Sequence, residues 1–485
     1  MRNMFAGPPR HRGRKGGGLI RSGLWLLGAG LAMMAADGAS AQTAAPPAGT
    51  DQGLSLRDAL DYADQHYPTV KAALQERIAA DKGVTEARTA YLPQVDLLWE
   101  IDRATVNNIT GVLLPQSLLP SISGPVLPQT GRSDWNSAAG VLVSWRVFDF
   151  GQRAAAVDAA RGAAGGARAS YDLAQLDVAA ATLNAYLNVL AADALTAAAQ
   201  ANVDRLQTFG TAVHVLVGNK LRPGVDAEQA DAALALGRTQ LIAAQANATA
   251  QRATLTKLLG RPADDLHLAL PAMPADMEGV APPAGRAQDH PAAVIEAARV
   301  HQQEAQLSEV NRSYAPVVDA VASAYSRGAG RDPTGGFTGN SALGLGTDNW
   351  AVGLRATLPL GSYPAIHAKQ EAERATVEAE QQRYDETLRE VTERTVQSRA
   401  DLAAARAIAK LTPTELQAAR NAETQQRARF QSGLANVVDV TVTEAALVQA
   451  ESQQAIADIN VWRALGSYAA ATGDLAPLRA ALGGQ

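Results

Sequence analysis

Between Gln94 and Asp102 the chain alternates: Val95, Leu97, Trp99 and Ile101 fall on one side, Gln94, Asp96, Glu100 and Asp102 on the other. A period of two is that of a β-strand with one apolar face. The pattern returns three times. In "GVLVSWRVFDFGQR" (140–153), Val141, Val143, Trp145 and Val147 oppose Ser144 and Arg146. In "VVDAVASAY" (317–325), Val318, Ala320, Ala322 and Ala324 oppose Asp319 and Ser323. Last, Trp350, Val352, Leu354, Ala356 and Leu358 oppose Gly353, Arg355 and Thr357. Strand pairs are therefore predicted over about 91–150 and 315–361.

The stretches that follow are of another kind. Residues 152–217 contain no proline and much alanine, and read as one helix of roughly 100 Å at 1.5 Å per residue. Residues 362–432 read as a second, with Pro364 at its start and Pro413 expected to kink it. Shorter helices return over 225–260 and 437–473, and others over 54–90 and 284–313 lead into the strands. Stacked end to end, the shorter helices match the long ones, so each half pairs a continuous rod with a composite one. Proline-rich "LPAMPADMEGVAPPAG" (270–285) falls at the joint between them.

The two halves repeat. Asp226 and Asp439 are 213 positions apart, as are Gly260 and Gly473. "GVDAEQADAALALGRTQLIAAQ" (224–245) parallels "NVVDVTVTEAALVQAESQQAIA" (436–457), and the proline pairs 68/93 and 291/316 share a spacing of 25. A duplication has to be found before a fold is chosen. The organisation expected is repeat 1 over 54–260, with its helical hairpin at 152–260, and a linker over 261–285. Repeat 2 follows over 286–475, with its hairpin at 362–473, then a tail over 476–485.

Residues 1–41 read as a signal peptide, followed by a flexible lead-in over 42–53. Arg2, Arg10, Arg12, Arg14, Lys15 and Arg21 precede the apolar run Leu24–Ala36, and Ala39-Ser40-Ala41 offers a cleavage site. The mature chain is thus expected to be exported. No later stretch reads as a membrane-crossing helix. Apolar-out, polar-in strands of about ten residues fit an outer-membrane barrel. Four strands cannot close one, and an open edge cannot sit in lipid, so a barrel would need several chains. Two hairpins packed on a soluble core are the alternative that the strands alone leave open. In a barrel, the loops 108–133 and 330–346, rich in Gly, Pro, Ser and Thr, would lie outside the cell.

Composition narrows the chemistry. The chain of 485 residues has no cysteine, so neither disulfides nor a thioether-linked lipid holds it. A formal charge of −5 with no basic surplus disfavours nucleic acid. Aromatics at 5% are few for an enzyme core. His11, His66, His214, His267, His290, His301 and His367 form no HExxH or i,i+4 pair, and no phosphate-binding loop occurs. "HPAAVIEAARVH" (290–301) reads as helix surface rather than a metal site. No enzymatic activity, metal or cofactor is expected.

"YLPQVDL" entering a strand, "W-x-V-F-D-F-G" leaving one, and "D-x-x-x-A" with "L-x-x-L-x-G" in the return helices occur in duplicated order behind a leader. Over about residues 54–475 the chain resembles the TolC-like outer membrane efflux protein family. The resemblance implies a mixed α/β membrane protein with two internal structural repeats. Three chains would build one outer-membrane β-barrel, four strands from each, continued by a long α-helical barrel in the periplasm. It also implies docking on a periplasmic adaptor and an inner-membrane RND or ABC pump, for efflux or type I secretion. Tyr91, Trp99, Trp135, Trp145, Tyr314, Tyr325 and Trp350 would mark the membrane interfaces. A non-transport periplasmic coiled-coil protein, structural or adhesive, is the other class to be separated.

The resemblance points to the two hairpin turns as the site. "GLANVVD" (433–439) matches the inner turn, where Asp439, beside Asn436, would ring the pore entrance. Carboxylates gathered by threefold symmetry attract cations and repel one another. Val442 stands where well-known members carry a second aspartate. The plain alternative is that Asp439 only caps its helix. The other turn, "GNKLRPGVD" (218–226), reads as two residues longer and offers Asp226 and Arg222 for polar links to the neighbouring hairpin. Gly218, Gly224 and Gly433 would lie at the tips that meet the adaptor.

Overall fold

The computed structural model describes residues 54–105, 133–260, 268, 285–329 and 344–483. The expected signal peptide and lead-in, and nearly all of the two loops and the linker, lie outside the described residues. Helices α1 (Leu56–His66) and α2 (Pro68–Thr89) lead into β1 (Gln94–Thr105). Strand β2 (Ser133–Phe148) runs into α3 (Gln152–Gly218), which turns back as α4 (Gly224–Leu259). The order then recurs: α5 (Pro291–Arg312), β3 (Val317–Ala329), β4 (Thr347–Thr357), α6 (Tyr363–Gln431) and α7 (Val437–Thr472), closed by α8 (Ala476–Gly483).

Several boundaries depart from the expectation, each for a physical reason. The helix expected over 54–90 breaks at Tyr67, which is extended (ψ 132°) before Pro68. Proline's ring excludes the helical region for the residue before it. His290 is extended (ψ 134°) before Pro291 for the same reason, so α5 starts at 291 rather than 284. Helix α6 runs unbroken through Pro413. The tail is partly helical: α8 buries Leu478 and Leu482, and Arg479 pairs with Asp64 of α1. Contrary to expectation, α3 contains a stretch long and apolar enough to cross a membrane, and that stretch is 56% buried. Its apolar residues serve packing: Leu183, Tyr186, Leu187 and Val189 are enclosed in the principal core with Leu60, Leu255, Trp462 and Leu478. Gly466 is what lets α7 approach there, since a Cβ would fall 1.9 Å from Leu183.

The four strands form one antiparallel sheet in the order β1-β2-β3-β4. Register carries the apolar positions of every strand onto the same face. Val95 lies beside Val143, Val143 beside Ala322, and Ala322 beside Val352. The neighbouring row is Leu97, Val141, Ala324 and Trp350. This face is uncovered: Leu97 is 83% exposed, Trp350 78% and Leu354 76%. On the opposite face Asp319 sits between Arg146 and Arg355, at 3.4 Å from each. The described protein is therefore wet-chemistry on one face of its sheet and bare hydrocarbon on the other.

The joint between sheet and rods explains the "FDFG" sequence. Phe150 (φ 52°) and Gly151 (φ 87°) both take left-handed backbone, which turns the strand sharply into α3. Buried Asp149 caps that helix, accepting from the amides of Gly151 (3.0 Å) and Arg153 (3.2 Å) and pairing with the Arg153 guanidinium. Burial alone would raise the Asp149 carboxyl, but these donors outweigh it and hold it below its ordinary value. Arg153 also donates to the Ala90 carbonyl (3.0 Å) and stacks 4.6 Å over Tyr91. Arg312, at the end of α5, donates to the Gly151 carbonyl at 2.8 Å. One arginine pair thus ties α2, α3 and α5 to the base of the sheet.

Candidate functional site at the hairpin turns

The turns Asn219–Pro223 and Ser432–Asn436 have the same length and the same backbone path. At the first, Lys220 (φ 60°) donates to Val217 and Leu221 to Leu216; at the second, Gly433 (φ 78°) donates to Phe430 and Leu434 to Arg429. The first turn is therefore not two residues longer, as its sequence suggested. Gly218 stays helical, and Lys220, not Gly218, occupies the place of Gly433. Gly218, Gly224 and Gly433 are all exposed at these tips.

The chemistry of the two turns differs. At the second, Asn436 accepts from the Asp439 amide (2.8 Å) while Asp439 accepts from the Asn436 amide (3.0 Å), a reciprocal cap that satisfies two helix-end donors. Asp439 is exposed, between Val437 and Val440, which are fully buried. At the first, Pro223 can offer no side-chain cap, and Asp226 turns inward to 6% exposure. There it lies 3.8 Å from Arg222, too far for a hydrogen bond. Arg222 instead crosses to the other hairpin, donating to the Phe430 carbonyl at 2.8 Å with its guanidinium 4.4 Å over the Phe430 ring. Phe430 packs edge-on against Phe209 (5.1 Å), and Val213, Ala435, Val437 and Val440 complete a small core under both turns.

Behind that core lies a charged network that the sequence reading missed. Glu444 of α7 is buried, paired with Arg205 of α3 and 3.5 Å from Arg427 of α6. Arg205 also meets Glu451 at 2.9 Å, and Arg427 meets Glu423 at 2.6 Å. Burial disfavours the Arg205 charge, but the Glu444 and Glu451 carboxylates more than offset it and raise its proton affinity. The available signal was a stripe, Val440, Glu444, Leu447, Glu451, in which two carboxylates occupy the spacing of a buried helix face.

The aromatics expected at the membrane interfaces fall into two levels. Tyr91 precedes β1 and its carbonyl accepts from the Trp145 indole at 2.8 Å; Tyr314 packs 5.3 Å from Tyr363, where β3 and β4 meet their helices. Trp135 and Trp350 lie toward the far ends of β2 and β4, and Arg103 stacks over Trp135 at 5.9 Å. Trp99 lies between the two levels, opposite Ala139 and 72% exposed. Tyr325 is placed differently: opposite Gly140, it shares the face of Asp319 rather than that of Trp350. Among the described residues no cluster of metal-ligating side chains forms.

Comparison with known proteins now decides the lineage. The outer membrane efflux protein family matches residues 59–261 and 288–474. The chain belongs to the outer membrane efflux protein family. Its fold is that of outer-membrane channels. The outer membrane protein VceC from Vibrio cholerae superposes with a TM-score of 0.72 at 19% identity, covering 86% of this chain and 96% of that one. The MtrE channel of Neisseria gonorrhoeae, in its open state, gives 0.69 at 17% identity, with 86% and 89% covered. The CmeC channel of Campylobacter jejuni gives 0.70 at 14%, with 86% and 85% covered. No curated protein sequence matches the chain. This outer membrane efflux protein thus sits in the outer membrane and extends into the periplasm, and its family is one of channels rather than enzymes.

Proposed function

We propose that this outer membrane efflux protein assembles as a homotrimer and serves as a passive exit duct. The observation that carries this reading is the bare apolar sheet face, with β1 and β4 each paired on one side only. At about 25 cal/mol per Å² of exposed apolar surface, a soluble monomer would bear a large penalty at Val95, Leu97, Trp99, Trp350, Val352 and Leu354. Three copies joined edge to edge would satisfy every strand and turn that face to lipid. A periplasmic structural or adhesive protein has no use for it. Energy for transport would come from an inner-membrane pump, of RND or ABC type, reached through a periplasmic adaptor that meets the tips at Gly218, Gly224 and Gly433. Drug efflux and type I secretion both fit such a duct.

The gate would lie at the turns. Asp439, exposed at the second turn, would ring the entrance with its two symmetry mates, since one carboxylate oxygen suffices for the cap. Arg222 would hold the closed arrangement by tying the first turn to Phe430. Purified protein in planar bilayers tests the reading: it should open ion-conducting pores that multivalent cations block from the side of the turns. Absence of any conductance from correctly assembled protein would overturn it.

A further inference from the structure

His290 is a buried titratable side chain that the proposed duct does not use. Expected on a helix surface, it is only 6% exposed and stands at the joint between α5 and α7. Its Nδ1 lies 3.2 Å from the Ala292 amide nitrogen and its Nε2 lies 3.3 Å from the Ala470 carbonyl oxygen. An amide N–H can only donate and a carbonyl can only accept. The two contacts therefore fix one species: a neutral imidazole with its proton on Nε2. Nδ1 then caps the first turn of α5 while Nε2–H binds the last turn of α7. The ring is also wedged against Gly473 (φ +81°), where a Cβ would come within 3.0 Å of His290 and 2.9 Å of Pro291.

We propose that His290 is a proton-operated latch at this joint, tying α5 to α7 when neutral and releasing them when charged. A proton on Nδ1 would abolish the cap and set one N–H against another; Nε2–H could still donate to Ala470, so it is this clash, with the cost of burying the charge, that drives the ring from its seat and parts the two helices. Asp177 of α3 and Arg394 of α6 are the charged groups whose fields reach the ring; Asp289 precedes it on its own segment, and exposed Asp474 follows Gly473 at the end of α7. Arg394 would repel the imidazolium and Asp177 would attract it. Burial dominates and, with Arg394, outweighs the Ala470 carbonyl and Asp177, so the His290 pKa lies below its ordinary value. The sign follows: with the folded value depressed, the ring's contribution is complete above an unfolded pKa of about 6.5 and is lost as pH falls through the lower folded one. In repeat 1 the residue before the matching proline is Tyr67, which has no ring nitrogen to make either contact, so the latch belongs to one repeat.

The inference does not depend on conduction, and its test uses the full chain in detergent. Hydrogen exchange, corrected for the intrinsic pH dependence, is followed from pH 7.5 to pH 5. Amides in the first turn of α5 and the last turn of α7 should lose at least tenfold in protection, while the hairpin turns stay unchanged. His290→Asn keeps an acceptor for the Ala292 amide where Nδ1 stands, gives up the longer reach to Ala470 and cannot titrate, so its protection, whatever its level, should be flat across the range. Equal losses in His290→Asn and the parent would overturn the proposal. Should that variant fail to fold, the parent decides alone: no loss, or an equal loss at the turns, overturns it.

Discussion

Arg222 and Phe430, on different hairpins, are joined twice: the guanidinium donates to the Phe430 carbonyl at 2.8 Å and lies 4.4 Å over its ring. The other hydrogen bonds of each turn are local to it, so this pair is the most direct polar tie between the two tips. A hydrogen bond from a charged donor contributes about 1.5–3 kcal/mol and a stacked cation about 0.5–1 kcal/mol. Arg222→Ala should free the first turn and raise the open fraction of single channels by roughly tenfold or more, without changing assembly. Arg222→Lys, which keeps charge but loses the planar stack, should fall between. An open fraction unchanged in Arg222→Ala would remove this pair from the gate.

Asp439 has two candidate roles that can be separated. Asp439→Asn keeps an oxygen for the Asn436 amide and loses only the charge. It should abolish block by multivalent cations in bilayers while thermal stability holds. Asn436→Ala should do the reverse, costing about 1 kcal/mol as a lost cap and leaving the block in place. If Asp439→Asn is blocked as strongly as the parent, the residue is a cap alone.

Glu444 should be the most sensitive position near the tips. Glu444→Ala leaves Arg205 and Arg427 without their shared carboxylate, and removing one partner of a buried pair costs about 3–5 kcal/mol. Thermal unfolding should show a lower midpoint, and proteolysis should cut first within the α6–α7 tip. Glu444→Gln, which keeps the shape and part of the hydrogen bonding, should cost less.

The two sheet faces should respond oppositely to charge. Leu97→Lys or Leu354→Lys, placed on the bare face, should impair insertion into the outer membrane, by about 2–4 kcal/mol at mid-membrane depth. Gln94→Lys, on the other face of β1, should be accepted. Heat-modifiable mobility on electrophoresis of membrane fractions reads both. Equal tolerance at Leu97 and Gln94 would contradict a lipid-facing row.

The fold was legible where a single period dominates. Alternation at Val95, Leu97 and Trp99 is local, and the register in the structure merely aligned four such rows. The long helices were legible because α3 has no proline and α6 has only Pro364, at its start, and Pro413. What stayed hidden depends on partners far apart in sequence. Arg205 and Glu444 are 239 positions apart, and nothing in either neighbourhood announces the other. The two turns looked unequal because Gly218 invites a helix end; instead Lys220 accepted the left-handed conformation that glycine usually takes. His290 looked like surface because its burial comes from Gly473 and Ala470, brought alongside by the return of α7.

Three chains, in the reading proposed above, close one membrane barrel over the apolar sheet face. The most direct measurement of this is the native mass of the protein extracted from outer membranes in mild detergent. The particles should hold three copies of the chain, and a disulfide engineered between β1 of one copy and β4 of the next should form in high yield and link copies covalently. A monodisperse single chain, released from the periplasm without detergent, would contradict it.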